Sequence, residues 1–227
     1  SANVQRLVPY EQFDSDLIGK RVFSDDDMLV YHKLFNYSYE EIDQVISVLA
    51  KDGQEAVGSM GDDTPMAVLS QKTRTFYDYF RQLFAQVTNP PIDPLREAHV
   101  MLLATSIGRE HNVFSETAGY ARRIQFESPV MMYSDLKQLK TADEKYYKHH
   151  IISLNFDPSN EDLETAVRRV CAEAVRVVRE EKVVLVILTD RRIEQGLIPI
   201  PAAMAVGAVH HALVDNQLRC DSNIIIE

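Results

Sequence analysis

Apolar positions change period about halfway along this chain. From Ser38 onward, Ile42, Val45, Ile46 and Leu49 recur at spacings of three and four, which sets them on one helical face. Ser38 with Glu41 three residues later reads as a capping box, and Gly53 closes the helix. Residues 1–37 are mixed and aromatic-rich, with a short helix expected after the cap at Ser24-Asp-Asp-Asp27. A loop carrying Gly58, Gly61 and Pro65 follows the first clear helix. A second amphipathic helix is then expected from Phe76, Phe80, Leu83, Phe84 and Val87, stopped by Asn89-Pro90-Pro91.

The second half alternates short apolar runs with helical stripes. Ile151–Phe156 reads as a buried strand, and Ser159 with Asp162 caps a long helix. Its stripe is Leu163, Ala166, Val167, Val170, Ala174, Val177 and Val178. Val183–Thr189 is a continuous β-branched and aliphatic run, as a strand covered on both faces requires. Pro201–Val214 suits a helix with proline in its first turn, and Ile224–Ile226 another strand. Strand, helix, strand, helix, strand implies crossovers and a parallel sheet. The fold class expected is α/β: a mainly helical N-terminal portion packed on a small parallel β-sheet flanked by helices. Residues 1–110 form the helix-and-loop part and residues 111–227 the α/β part.

Composition narrows the functional classes. With 227 residues, 45% apolar and 26% charged, the chain can bury one substantial core or two packed lobes. Its 24 basic and 34 acidic residues give a net charge of −10, a field that repels nucleic acid and anionic membrane. No apolar run approaches the roughly 18 residues of a membrane helix, and no charged-then-apolar signal pattern opens the chain, so a cytoplasmic location is expected. Cys171 and Cys220 lie far apart, with neither metal spacing nor a disulfide framework.

Three groups of residues invite a chemical reading. In Gly58–Pro65 two glycines let the backbone pass close to another surface, while Asp62 or Asp63 can equally cap the segment that follows. Asp190-Arg191-Arg192 follows the buried strand. It falls at the carboxyl end of a parallel sheet, where α/β proteins bind ligands, or else it fixes the loop. No GxGxxG or Walker-type pattern accompanies it. The pairs His149-His150 and His210-His211 are poor chelates, because neighbours face opposite sides of a strand and diverge by about 100° on a helix.

Longer stretches carry a family signature. Gly58-Ser-Met-Gly-Asp-Asp-Thr-Pro65 and the segment Tyr77–Glu97 resemble the central domain of the glutamate synthase large subunit. The likeness resumes in order at Val113–Thr117, Ala121–Ile124, Ser128–Met131, Leu185–Arg191 and Ile198–His211. Two departures stand out: Ala212 where the family usually has a third histidine, and Thr189-Asp-Arg-Arg192 where it usually reads Ser-Asp-Arg-Gly.

The resemblance implies a fragment of a larger chain, residues 1–227 being the central domain. That domain connects a glutamine amidotransferase domain to the FMN-binding synthase domain, and these are the expected partners, along with self-association. It implies that Met60, Asp62, Asp63, Thr64, Thr88 and Asn89 help form the tunnel carrying ammonia from glutamine to 2-oxoglutarate. A passage for neutral ammonia needs small polar acceptors and an apolar wall, and no base. FMN and an iron–sulfur cluster belong to the full-length enzyme. This fragment, with two cysteines and Ser1 where the family needs a nucleophilic cysteine, is expected to be non-catalytic and without cofactor or metal. The alternative is a free-standing α/β enzyme or ligand-binding protein with its site at Asp190 and Arg191.

Overall fold

A computed structural model describes residues 4–6, 24–54, 56, 63–72, 74–81, 83–84, 100–112, 114–115 and 117–227. They belong to two compact units: Gly19–Leu102, and Ser1–Ile18 together with Leu103–Glu227.

The described residues of the unit Gly19–Leu102 form short helices joined by loops. Helix α1 (Asp25–Leu34) starts at Ser24, whose hydroxyl accepts the Asp27 amide while the Asp27 carboxylate accepts the Ser24 amide. A second capping box, Ser38 with Glu41, opens α2 (Tyr39–Glu41), which runs through a π-helical turn (Ile42–Ile46) into α3 (Ser47–Asp52). Gly53 ends it in the left-handed conformation at φ 60°, as expected. The π turn was not expected. It adds a residue to one turn, so the 3.6 period drifts: Ile42 and Val48 are half-buried, whereas Val45, Ile46 and Leu49 of the expected stripe are exposed.

Of the second expected helix, the described residues form a single 3₁₀ turn (Phe76–Tyr79) with a Thr75–Asp78 capping box, while Val87 and Asn89-Pro90-Pro91 lie outside the described residues. Phe80 leaves helical geometry at ψ 87°, and Phe80, Leu83 and Phe84 are exposed. Helices draw most of their stability from a packed apolar face, and this aromatic run has none covering it among the described residues.

The other unit is built on a parallel sheet of β4 (His149–Ser153), β6 (Leu185–Thr189) and β8 (Asn223–Ile226), in the order β4-β6-β8. Register is continuous: His149 pairs with Leu185, and Leu185 with Asn223. Parallel neighbours need long crossovers, and helices α6 (Leu163–Glu181) and α7 (Ala202–Asp215) lie in these connections. β6 is covered on both faces, which explains its unbroken apolar run. Val186 and Leu188 enter a core with Ile152, Val170, Val177, Val178, Val209 and Leu213, beneath α6 and α7. Leu185 and Ile187 enter another, with Ile225, Tyr147 and residues Leu136 and Leu139 of α4 (Tyr133–Lys140).

Other elements lacked a legible pattern. β1 (Val4–Arg6), β2 (Thr105–Ile107) and β3 (Arg123–Phe126) form a second sheet, β3 lying between β1, to which it is parallel, and antiparallel β2. Only Ile107 and Ile124 of β2 and β3 are buried, too few for periodicity to register. The short helix α5 (Glu144–Tyr147) leads into β4.

The expected strand Ile151–Phe156 divides in two. β4 ends at Ser153, and β5 (Asn155–Phe156) pairs instead with β7 (Ile198–Pro199), antiparallel. The cap of α6 is Asp162, accepting the Thr165 amide at 2.8 Å, and not Ser159, whose own amide donates to Asp157.

Candidate functional site at the carboxyl ends of the parallel sheet

Strands β4, β6 and β8 all end on one side of the sheet, and there the chain turns at Leu154-Asn155 and at Asp190-Arg191-Arg192. Backbone bonds close the end of the ladder: Leu154 N–H donates to Thr189 O at 2.8 Å and Asp190 N–H to Glu227 O at 3.3 Å. Asn155 clasps the second turn. Its side-chain amide donates to Asp190 O at 3.2 Å and to Arg192 O, and its buried Oδ1 has no partner among the described residues. The Arg191 amide donates to Thr189 Oγ1 at 3.2 Å, a local turn that tightens the exit from β6.

Arg191 turns towards Glu227. Its guanidinium donates to Glu227 Oε1 at 3.3 Å and sits 4.1 Å from the centre of the Tyr133 ring, a cation–π placement. Lys140 reaches Glu227 Oε2 at 3.2 Å, so one nearly buried carboxylate holds two cations. Asp190 is different. Burial pushes its carboxyl pKa up and the Glu227 charge adds to that, against a backbone hydrogen bond that lowers it.

An open cleft of about 640 Å³ adjoins these groups. Its walls are mainly apolar: Ile107, Phe126, Val130, Met132, Leu136 and Ile225 contribute, with Arg191 and Glu227 as its charged pair. Arg191 and Glu227 neutralise one another, and the described residues that line the cleft include no cysteine or histidine. Among the described residues no group of three metal-ligating side chains occurs.

Asp190 and Arg191, expected together, are neighbours with separate roles: one half-buried at the strand end, the other lining the cleft. Tyr133, Lys140, Asn155 and Glu227 were missed. Asn155 alone had a signal, a buried-strand exit matching that of Asp190. Of the tunnel candidates, Asp63 and Thr64 are exposed, whereas Met60, Asp62, Thr88 and Asn89 lie outside the described residues.

The histidine pairs have separate partners. His150 Nε2 lies 2.8 Å from Glu173 Oε1, and His210 Nδ1 accepts from Arg219 Nε at 3.0 Å. Cys171 is half-buried, which raises its thiol pKa, and Cys220 is exposed.

The fold and site together define a mixed α/β domain with a strand-end cleft. A family model described as "Glutamate synthase central domain" matches residues 30–227. Glutamate synthase [NADH] of Schizosaccharomyces pombe is 40% identical over 197 residues, covering 85% of this chain and 9% of that protein. Glutamate synthase [NADPH] large chain of Bacillus subtilis is 37% identical over 201 residues, covering 88% of this chain and 13% of that one. Ferredoxin-dependent glutamate synthase 2 of Synechocystis is 39% identical over 214 residues, covering 92% and 14%. The chain belongs to the glutamate synthase central domain family. It spans 9–14% of the length of these three relatives.

Proposed function

We propose that this chain is the central connecting domain of a glutamate synthase, residues 1–227, holding the amidotransferase and FMN-binding synthase domains of the same polypeptide in register. In this role it contributes to the tunnel that carries ammonia from glutamine to 2-oxoglutarate for L-glutamate synthesis. The observation that carries the reading is the family match over residues 30–227. A second observation sharpens it. Relatives named for NADH, NADPH and ferredoxin match at 40%, 37% and 39% identity, so the domain does not follow the electron donor. What such enzymes share is a route between two chemistries.

The parent's FMN and iron–sulfur cluster do not fit the residues here. A cluster of the family's kind needs three closely spaced cysteines, and this chain has two, one half-buried in α6 and one exposed. The turns at Asn155 and Asp190 offer no glycine-rich cradle for a flavin phosphate. The domain's contribution is therefore shape and polarity.

Met60 and Thr88 test it, since neither titrates and each belongs to a tunnel-candidate segment. In the intact parent enzyme, Thr88→Phe or Met60→Trp should break the fixed ratio of glutamine hydrolysis to glutamate formation, while synthesis from added ammonia persists. Overpacking alone would cost about 1–3 kcal/mol and show in a thermal melt. Normal coupling in variants that melt normally would overturn the tunnel role.

The cleft beside Arg191 favours a second reading, a ligand-binding protein with its site at Asp190 and Arg191, since about 640 Å³ suits a small molecule. Titration calorimetry with 2-oxoglutarate separates the two. Stoichiometric heat lost in Arg191→Ala would favour this reading, and no heat the first.

A further inference from the structure

β8 is an outer strand: among the described residues it pairs with β6 and with no other strand. The amides of Asn223 and Glu227 donate to Val184 O and Leu188 O, on the β6 side. Backbone groups alternate along a strand, so those of Ile224 and Ile226 point to the opposite edge. Proteins blunt such edges with charge, proline or a bulge, and Asn223-Ile224-Ile225-Ile226 carries none of these. The cleft adjoins the strand, lined by Ile224, Ile225 and Ile226 on one side and by Phe126, Val130 and Met132 on others. Val130 is 84% exposed and Met132 56%, an apolar rim without cover among the described residues.

Topology gives the direction in which the sheet grows. The spatial order β4-β6-β8 is also the chain order, so each strand joins the same edge after a helical crossover. Both crossover helices pack into the same core. Another strand in this progression would lie against β8 and run parallel to it.

We infer that the free edge of β8 and the adjoining cleft seat an apolar strand parallel to β8, supplied by another part of the glutamate synthase polypeptide. This rests on the reading of the chain as one domain of that longer enzyme. The relatives' length supports the source, since the matched region is only 9–14% of each. A second copy of this chain is the rival occupant. Two-fold pairing of β8 with β8 would run antiparallel, against the progression of the sheet.

Hydrogen exchange tests the inference. The Ile224 and Ile226 amides should exchange at least ten-fold more slowly in the intact parent glutamate synthase than in this chain alone. Ile226→Pro in the parent removes only an outward-facing N–H and leaves the Asn223 and Glu227 bonds to β6. It should restore fast exchange at Ile224, whereas Ile226→Val should not. A melt on both variants excludes general unfolding as the cause. Equal exchange in parent and isolated chain would overturn the inference. So would slow exchange in the isolated chain with a dimer by light scattering, which assigns the edge to a second copy. A small molecule in the parent's cleft with Ile224 and Ile226 still open would also overturn it. The tunnel role is read from the coupling ratio and this edge from amide protection, so either can fail alone.

Discussion

The Gly108 amide donates to Asn223 Oδ1 at 2.8 Å, a bond between residues 115 apart in sequence that joins the end of β2 to the start of β8. Gly108 also sits at φ 144°, and a Cβ there would lie 2.9 Å from the Arg122 carbonyl oxygen. Asn223→Ala leaves a half-buried N–H without its acceptor and should cost about 1–3 kcal/mol. Gly108→Ala should cost a similar amount through backbone strain. Urea unfolding of both variants measures this. A midpoint unchanged from that of the parent chain would show that the bond does not hold these segments together.

Asp190 makes stability depend on pH in a defined direction. Its folded pKa is raised above the unfolded value, chiefly by burial. The folded state therefore binds more protons in the window between the two values, and stability falls as pH rises through it. Asp190→Asn should raise the melting temperature at pH 7. The gain should vanish at pH values below the ordinary carboxylate range, where both side chains are neutral. A gain that persists in acid would mean that the charge is not the cause.

Asn155 acts on the loop that carries Arg191. Its side-chain amide bridges the Asp190 and Arg192 carbonyls, and an aspartate there could accept but not donate. Asn155→Asp should destabilise by about 1–3 kcal/mol and loosen the loop. Faster amide exchange at Arg191 and Ile193 is the expected sign, with the interior of α6 unchanged.

Lys182 ends helix α6 at φ 58°, a left-handed position usually given to glycine. Its ammonium donates to Arg179 O at 2.8 Å, which offsets part of the strain. Lys182→Gly should stabilise by about 0.5–1 kcal/mol, visible as a melting temperature a few degrees higher. A lower melting temperature would mean that the side-chain bond outweighs the backbone cost.

Local chemistry determined much of this protein. The cap at Ser24 and the capping box at Ser38 formed as read, because their partners lie three residues away. The stripe of α6 and the apolar run of β6 identified a parallel sheet, since repeated burial leaves a period in sequence. The ordered segments from Gly58 to His211 carried the family. Tertiary structure decided the rest. Phe76–Phe84 has helical spacing but shows one turn among the described residues, because a short helix needs a packed face that spacing cannot supply. β2 and β3 bury one residue each and exist only through pairing with one another and with β1. The strand-end site joins Tyr133 and Lys140 of α4, Arg191 and Glu227 from three distant places, and the pairing of Arg191 with Glu227 over its neighbour Asp190 follows from where β8 ends beside β6. Charge type is written residue by residue. Which charge meets which depends on strand order, and strand order is a property of the folded sheet alone.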